Sequence, residues 1–216
     1  MQLQPGVRLL FIGDSITDCG RKRPIGKGKS DQALGNGFVS LVDAALTATY
    51  PDHEIHVINM GVSGDTVYDL SARWTSDVID LGPDWLVIKI GINDVWQNFS
   101  YACDESLIFY KETLDDLVKQ IRSSLRGLVL MTPYILEPNR KQPIRMMIDH
   151  YGSAVRTLAE KHSAVFVDTQ AAFDTVLQWI DPMELAPDRV HVNLVGHMIL
   201  ARAFLQRIDY DWKRAL

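Results

Sequence analysis

Cysteine is nearly absent from this chain of 216 residues, in which only Cys19 and Cys103 occur. Neither lies in a CxxC pair, and two cysteines are too few for a disulfide framework or a cysteine zinc site. Histidine spacing such as HExxH is also missing, so no metal is expected. We expect two reduced thiols rather than a Cys19–Cys103 bridge.

Long hydrophobic runs are missing as well. No apolar stretch approaches the roughly 20 residues that cross a bilayer. The N-terminal stretch lacks a basic region, a long apolar region and a small-residue cleavage site, which are the marks of a signal peptide. We therefore expect a cytoplasmic protein with no membrane partner.

The chain also lacks a basic excess, with a formal net charge of -5 and a pI near 5.6. Proteins that bind nucleic acid usually carry a strong positive charge, so no nucleic-acid partner is expected. Walker A and GxGxxG loops are missing, and so is the GxSxG elbow of α/β-hydrolases, so no cofactor is expected.

What is present is an ordinary globular composition, with 47% hydrophobic and 23% charged residues. The length suits one well-developed core, and no linker, repeat or low-complexity tract interrupts it. We therefore predict a single domain over residues 1–216.

Short apolar runs alternate with longer amphipathic stretches along this domain. The predicted strands are Arg8–Gly13, Glu54–Met60, Asp84–Ile90, Gly127–Pro133 and Ala164–Asp168. The predicted helices are Gly37–Tyr50, Thr66–Leu81, Leu107–Leu125, Ile144–His162, Ala171–Ile180 and Leu194–Ile208, with Asn193 as the cap of the last. Apolar strands that alternate with helices indicate an α/β fold with a mostly parallel, five-stranded sheet covered on both faces.

In such sheets the active site lies beyond the carboxyl ends of the strands. Gly13-Asp14-Ser15 follows the first predicted strand, Gly61–Thr66 the second and Gly91–Asp94 the third. Small and polar residues are also what turns and helix caps are made of, so each segment alone predicts only a turn. Asp14 is expected to support the site, either by capping the helix after Ser15 or by holding the local turn through backbone hydrogen bonds.

The segment Asp188-Arg189-Val190-His191, just before the last helix, changes this balance. A carboxylate three residues ahead of a histidine can hold its Nδ1–H and leave Nε2 free to take a proton from a hydroxyl. A serine hydroxyl is a poor nucleophile without such a base. We therefore predict a triad of Ser15, His191 and Asp188.

Acyl transfer also needs donors for the negative charge that develops on the carbonyl oxygen. The backbone N–H groups of Ser15 and Gly64 and the side-chain amide of Asn93 can supply them. Gly64 suits this role because no side chain blocks access to its amide.

The four segments together resemble the SGNH (GDSL-type) hydrolases, whose GDS, glycine, GxND and DxxH blocks occur here in the same order over nearly the whole chain. The resemblance implies a flavodoxin-like three-layer α/β/α sandwich, Ser15 as nucleophile, Asp188 and His191 as its partners, and Gly64 and Asn93 in the oxyanion hole. It also implies a homo-oligomer of two or more subunits. One departure is Val192, where many relatives have proline.

Three longer stretches are most similar to the bacterial acetylxylan esterases. They are Gly13–Arg21, Ala33–Gly37 and Gly91–Trp96. This likeness implies a serine esterase that removes acetyl groups from xylan or xylo-oligosaccharides. The alternatives are a lysophospholipase or thioesterase with longer acyl chains and, in another class, a carbohydrate-binding module without activity.

Two further features stay open between function and structure. Trp96 follows the GxND block and either stacks on a sugar ring at the mouth of the site or packs beneath a loop. The basic stretch from Arg21 to Lys29 is expected to be mostly a solvated loop, with contact to a polymer or a subunit as the alternative. Trp74, Trp85 and Trp179 are expected in the core.

Overall fold

A six-stranded sheet runs through the computed structural model, in which residues 1–29, 32–98 and 103–214 are described. The strands are β1 (Arg8–Gly13), β2 (Gly26–Lys27), β3 (His56–Asn59), β4 (Trp85–Lys89), β5 (Gly127–Met131) and β6 (Val165–Val167). Their order is β2-β3-β1-β4-β5-β6, and every pair is parallel except β2 with β3. The predicted mostly parallel sheet is confirmed.

The predicted number of strands was wrong, because the described sheet has six and not five. The additional strand, β2, lies within the basic stretch and pairs antiparallel with β3 through Gly26 and Asn59. A strand of two residues, one of them glycine, has no apolar alternation that a sequence pattern can detect. It is held by its pairing with β3 rather than by its own propensity.

Helices cover both faces of the sheet and give the predicted three layers. Those in the described residues are α1 (Ser15–Asp18), α2 (Phe38–Thr49), α3 (Val67–Trp74), α4 (Ile92–Asn98), α5 (Cys103–Ile121), α6 (Pro143–Lys161), α7 (Thr169–Val176), α8 (Pro182–Leu185) and α9 (Leu194–Arg207). On one face α9 packs against α2 and α7, and on the other α5 packs against α3 and α6. No helix among the described residues has the length and apolar character to cross a bilayer.

Aromatic side chains illustrate how the layers meet. Phe11 of β1 packs edge to face against Phe38 of α2 and Phe204 of α9, with ring centroids 5.6 and 5.2 Å apart. Trp74 and Trp85 are buried as expected, but Trp179 is 86% exposed. That expectation was wrong because α7 already ends at Val176, which leaves Trp179 on a turn outside the packed face.

The carboxyl ends of the central strands lie in line. Gly13 of β1 is opposite Lys89 of β4, and Lys89 is opposite Met131 of β5. The residues that follow these strands therefore share one edge of the sheet, where the sequence places the active site.

Candidate active site

Ser15 begins α1 immediately after β1. The preceding residue, Asp14, caps this helix as expected, because its Oδ1 accepts the backbone N–H of Ile16 at 3.0 Å. Asp14 is completely buried, whereas Ser15 is only half-buried. The turn is therefore held by the buried Asp14, while the hydroxyl of Ser15 lies at the surface of the crevice.

His191 lies on the loop that leads into α9, and Asp188 organises this loop. Oδ1 of Asp188 accepts the backbone N–H of Val190 at 3.0 Å and that of His191 at 2.8 Å, while Oδ2 lies 2.5 Å from His191 Nδ1. Burial favours a higher pKa for Asp188, but these hydrogen bonds outweigh it and hold the pKa below its usual value. Arg189 makes the tight turn with a positive φ of 64°.

The structure brings the three residues of the predicted triad together. Ser15 Oγ lies 2.9 Å from His191 Nε2, across 176 residues of sequence. Because Nδ1 faces the Asp188 carboxylate, the neutral ring carries its proton there and leaves Nε2 as the acceptor for the serine hydroxyl. This geometry suits proton transfer from Ser15 to His191.

The two other candidate donors lie on adjoining segments. Gly64 has φ of +91°, a conformation that disfavours other residues, and a Cβ built on it would meet nothing within 4 Å. The side-chain amide of Asn93, in the first turn of α4, donates to the carbonyl of Asp65 at 2.8 Å. A primary amide has two N–H bonds, so one holds the side chain in place and the second remains for a ligand.

Trp96 lies at the mouth of this site. Its ring is 6.5 Å from the His191 ring between centroids, with the planes tilted by 45°, and the residue is 40% exposed. Of the two alternatives, the structure favours a position beside the crevice over one beneath a loop. Stacking on a sugar stays a prediction.

Sequence reasoning missed Asp18, which joins the nucleophile helix to the glycine block. Its Oδ2 accepts the backbone N–H of Ser63 at 3.0 Å and the hydroxyl of Ser63 at 2.9 Å, and it pairs with Arg23 at 2.7 Å. Since Ser63 precedes Gly64, α1 carries Ser15 at one end and holds a candidate oxyanion donor from the other.

The expectation that most charges of the basic stretch are solvated is confirmed, and Arg21 is the exception. Lys22, Lys27 and Lys29 are exposed, but Arg21 is buried and its Nε donates to the carbonyl of Gly61 at 2.7 Å. Arg23 donates to the same carbonyl at 2.9 Å. Their shared partner, the carbonyl of Gly61, lies some forty residues away in sequence, so the charge pattern alone could not reveal it.

Arg73 of α3 is a third arginine that organises the site. It donates to Asp65 Oδ2 at 2.7 Å and to the carbonyl oxygens of Met60 and Gly13 at 2.7 and 3.2 Å. Because Asp65 also accepts from Asn93, Arg73 connects the end of β1 to the segment that holds the amide. The sequence shows it only as one polar residue of an amphipathic helix, which gives no signal of this role.

Cys19 is a free thiol at the end of α1, so the expectation of a reduced Cys19 is confirmed, while the side chain of Cys103 lies outside the described residues. Burial raises the pKa of Cys19 to about 12, which keeps the thiol protonated. Its Sγ lies 3.4 Å from Nε2 of the buried His197. Among the described residues, no three histidine, cysteine or acidic side chains are grouped so that they could hold a metal ion.

At the carboxyl edge of the sheet, hydrogen bonds connect a serine to a histidine and the histidine to a carboxylate. This arrangement is the catalytic triad of serine ester hydrolases. The chain belongs to the GDSL-like lipase/acylhydrolase family, whose model matches residues 11–199. It is accordingly a carboxylic ester hydrolase.

Within this family, the chain is similar to proteins of known structure and activity. The chain is 49% identical to an acetylxylan esterase of Geobacillus stearothermophilus over the full length of both chains. The crystal structure of that esterase, Axe2, covers the whole chain with a TM-score of 0.95. LAE5, an alpha/beta hydrolase from the metagenome of Lake Arreo, Spain, is 43% identical, covers 97% of this chain and 98% of its own, and has a TM-score of 0.92.

Catalytic mutants of Axe2 have also been solved. In them a serine, an aspartate or a histidine is replaced by alanine. These are the three residue types that meet at Ser15, Asp188 and His191.

Proposed function

We propose that this chain is a serine esterase that removes acetyl groups from xylan or xylo-oligosaccharides. The observation that carries the chemistry is the 2.9 Å contact between Ser15 Oγ and His191 Nε2, on a ring whose other nitrogen faces Asp188. The acetyl-xylan specificity is supported by the full-length similarity to an acetylxylan esterase.

In the first stage Ser15 Oγ attacks the ester carbonyl carbon while His191 Nε2 removes the hydroxyl proton. The imidazolium that forms is stabilised by Asp188, which stays ionised because its hydrogen bonds hold its pKa low. The oxyanion accepts hydrogen bonds from the backbone N–H groups of Ser15 and Gly64 and from the Asn93 amide. Collapse of the tetrahedral intermediate breaks the C–O bond, and the imidazolium protonates the leaving sugar hydroxyl.

In the second stage water hydrolyses the acetyl-enzyme. His191, neutral again, takes a proton from water, whose oxygen attacks the acyl carbon, and then returns that proton to Ser15 Oγ. Acetate leaves, and the same donors hold the second oxyanion. Trp96 stacks on the sugar ring that carries the ester, because its exposed ring lies beside His191.

A second candidate is an esterase for longer acyl chains, a lysophospholipase or thioesterase. Leu194 and Val195, which follow His191 within four residues, are 64% and 53% exposed. An apolar surface next to the base is a contact for an acyl chain. The two candidates share the triad and differ only in what lies beside it.

The test is hydrolysis of p-nitrophenyl acetate and p-nitrophenyl octanoate by the wild type, Ser15→Ala and Ser153→Ala. Ser153 is a serine on the surface of α6 and serves as the matched control, which should keep wild-type activity. We expect turnover that favours acetate and is lost in Ser15→Ala by a factor of about 10⁶. Acetylated xylo-oligosaccharides should then release acetate.

Three other outcomes would each contradict part of this proposal. Full activity of Ser15→Ala would contradict the mechanism. A preference for octanoate would keep the triad and favour the second candidate. Sugar binding without turnover of any ester would favour a carbohydrate-binding module.

A homo-oligomer and a cytoplasmic location stay predictions of the sequence. Large apolar side chains are exposed on several elements, among them Phe109, Trp179 and Trp212. Surfaces of this kind often mark contacts between chains. Sedimentation velocity at micromolar concentration should show a species larger than 24.4 kDa, and a monomer would contradict the prediction.

A further inference from the structure

His197 is a buried histidine that the proposed reaction does not use. It lies in the first turn of α9, the helix that follows the His191 loop, and only 8% of it is exposed. Burial lowers its pKa to about 4, so the ring is neutral at pH 7 and carries its proton on one nitrogen only. The two ring nitrogens have partners at the ends of two different helices.

One of these partners determines which nitrogen carries the proton. Nδ1 of His197 accepts the backbone N–H of Phe38, the first residue of α2, at 3.3 Å. A nitrogen that accepts a hydrogen bond has no proton of its own, so the proton of the neutral ring is on Nε2. Nε2 lies 3.4 Å from Sγ of Cys19, and it therefore donates a hydrogen bond to the sulfur.

Cys19 connects this contact to the nucleophile helix. It is the C-cap of α1, and its thiol donates toward the carbonyl oxygens of Ile16 at 3.3 Å and Ser15 at 3.6 Å. The backbone N–H of Cys19 also donates to the carbonyl of Ser15, at 3.1 Å. The ring of His197 therefore holds the residue that closes α1 onto the nucleophile.

Close packing surrounds the contact between His197 and Cys19. A Cβ built on Gly37 would lie 2.4 Å from Cys19 Sγ and 3.1 Å from Cε1 of His197, and one built on Gly35 would lie 2.6 Å from the carbonyl oxygen of Cys19. The backbone N–H of Asn36 donates to that oxygen at 2.9 Å. Cys19 is therefore fixed between α9 and the segment that precedes α2.

We propose that His197 is a positioning residue which, through Cys19, fixes the helix that begins with Ser15 against the helix that follows His191. This inference rests on the esterase function proposed above. The 2.9 Å contact between Ser15 Oγ and His191 Nε2 depends on how α1 lies relative to the start of α9, and the His197–Cys19 hydrogen bond joins the two helices directly. The bond to Phe38 reaches α2 instead, which carries none of the proposed catalytic residues.

Two amide substitutions separate the two hydrogen bonds of the ring. In His197→Gln the amide can donate to Cys19 from the position of Nε2, and in His197→Asn the amide can accept from Phe38 at the position of Nδ1. Each variant keeps one bond and loses the other. With p-nitrophenyl acetate, kcat should fall at least about tenfold in His197→Asn but less than about threefold in His197→Gln, because only the first releases α1 from α9. KM should change less than about threefold in both, since neither substitution touches the substrate.

Cys19→Ala shows whether the sulfur is the partner through which His197 acts. Alone it should lower kcat about tenfold, and in its presence the two amide variants should agree in kcat to within about twofold. Urea unfolding should give similar midpoints for the two amide variants, because each has lost one hydrogen bond of the same ring. His150→Asn, at an exposed histidine of α6, is the matched control and should keep wild-type kinetics.

A His197→Gln protein no more active than His197→Asn, or a difference between them that persists with Cys19→Ala, would overturn this proposal. If neither amide variant folds, Cys19→Ala decides: a lower kcat with unchanged KM supports the proposal, and wild-type kcat overturns it. Failure of the proposed function gives a different result, because Ser15→Ala itself would then stay active.

Discussion

The nucleophile and its base are held in opposite ways. The nucleophile turn rests on the buried side chains of Asp14 and Asp18, and Asp18 binds Ser63 and Arg23 from outside the turn. The base stands on a surface loop, where the side chains of His191 and Asp188 are 51% and 48% exposed. The main hydrogen bonds of Asp188 stay within four residues of sequence.

This contrast separates two kinds of dependence. A position built from distant buried groups depends on the whole fold, so substitutions there lower activity and stability together. A position built from one short loop can lose its chemistry while the fold stays intact. Four substitutions test this difference, in order of decreasing expected effect.

The largest effect is expected for Asp188→Asn, in the exposed loop that carries the base. The asparagine can still accept the backbone N–H groups but no longer holds the proton on His191 Nδ1, so kcat should fall about 10⁴-fold. The free energy of unfolding should change by less than about 1 kcal/mol because the loop is exposed. Stopped-flow or steady-state kinetics and urea unfolding measure the two quantities.

Asp181→Asn is the matched control for this substitution. Asp181 also accepts a backbone N–H, that of Met183, on an exposed helix start. It should leave kcat unchanged. A loss of stability in Asp188→Asn as large as its loss of activity would show that the loop is not independent of the fold.

Asp18→Asn, at the buried nucleophile turn, should lower both kcat and the free energy of unfolding. It weakens the hold on Ser63 and the ion pair with Arg23, so the segment that carries Gly64 is displaced. We expect kcat to fall about 10²-fold and the free energy of unfolding to fall by about 2 kcal/mol. Asp116→Asn, at a surface ion pair with Lys119, should change neither. A stable but inactive Asp18→Asn would remove the contrast between the halves.

The same contrast explains what the sequence could predict. Ser15, Asp188 and His191, which meet in the structure, could be singled out because they carry local signatures, Gly-Asp-Ser after a strand and Asp-x-x-His before a helix. All five predicted strands were found, with the helices predicted between them, because apolar periodicity is a local property.

The supporting residues were not found, since the roles of Arg21 and Arg73 depend on partners that folding brings close. The two-residue β2 was missed for the same reason, because it depends on β3 rather than on its own sequence. Trp179 shows the reverse error: an apolar residue next to an amphipathic helix was assigned to the core although the helix ends before it.

Asp94, a buried carboxyl of the GxND block, makes the stability of the fold sensitive to pH. Burial raises the pKa of its carboxyl to about 7; the charges of Asp14 and Asp69 add to this, and the backbone N–H of Val67 opposes it. Between the unfolded value of 3.8 and this folded value, the folded chain holds a proton that the unfolded chain has lost. Stability contributed by the protonated carboxyl is therefore complete below 3.8 and is lost as the pH rises to about 7.

Asp94→Asn should remove this dependence. The free energy of unfolding of the wild type, relative to the variant, should fall by on the order of 3 kcal/mol between pH 4 and pH 8. Urea unfolding across this range measures the difference. Parallel curves for the two proteins would mean that Asp94 does not change its protonation on folding.

The smallest effect is expected at Trp96, which is 40% exposed and lies beside the His191 ring at the rim of the site. If its ring stacks on a xylose unit, Trp96→Ala should raise KM for an acetylated xylo-oligosaccharide about 3- to 10-fold, the value of one stacking contact. KM for ethyl acetate, which has no ring to stack, should not change, and Trp96→Phe should keep most of the affinity for the sugar. Equal losses for both esters, together with a lower free energy of unfolding, would instead make Trp96 a packing residue of the loop that follows the GxND block. Trp96 would then depend on the fold as the nucleophile turn does. The part of the site that is independent of the fold would be limited to the loop of Asp188 and His191.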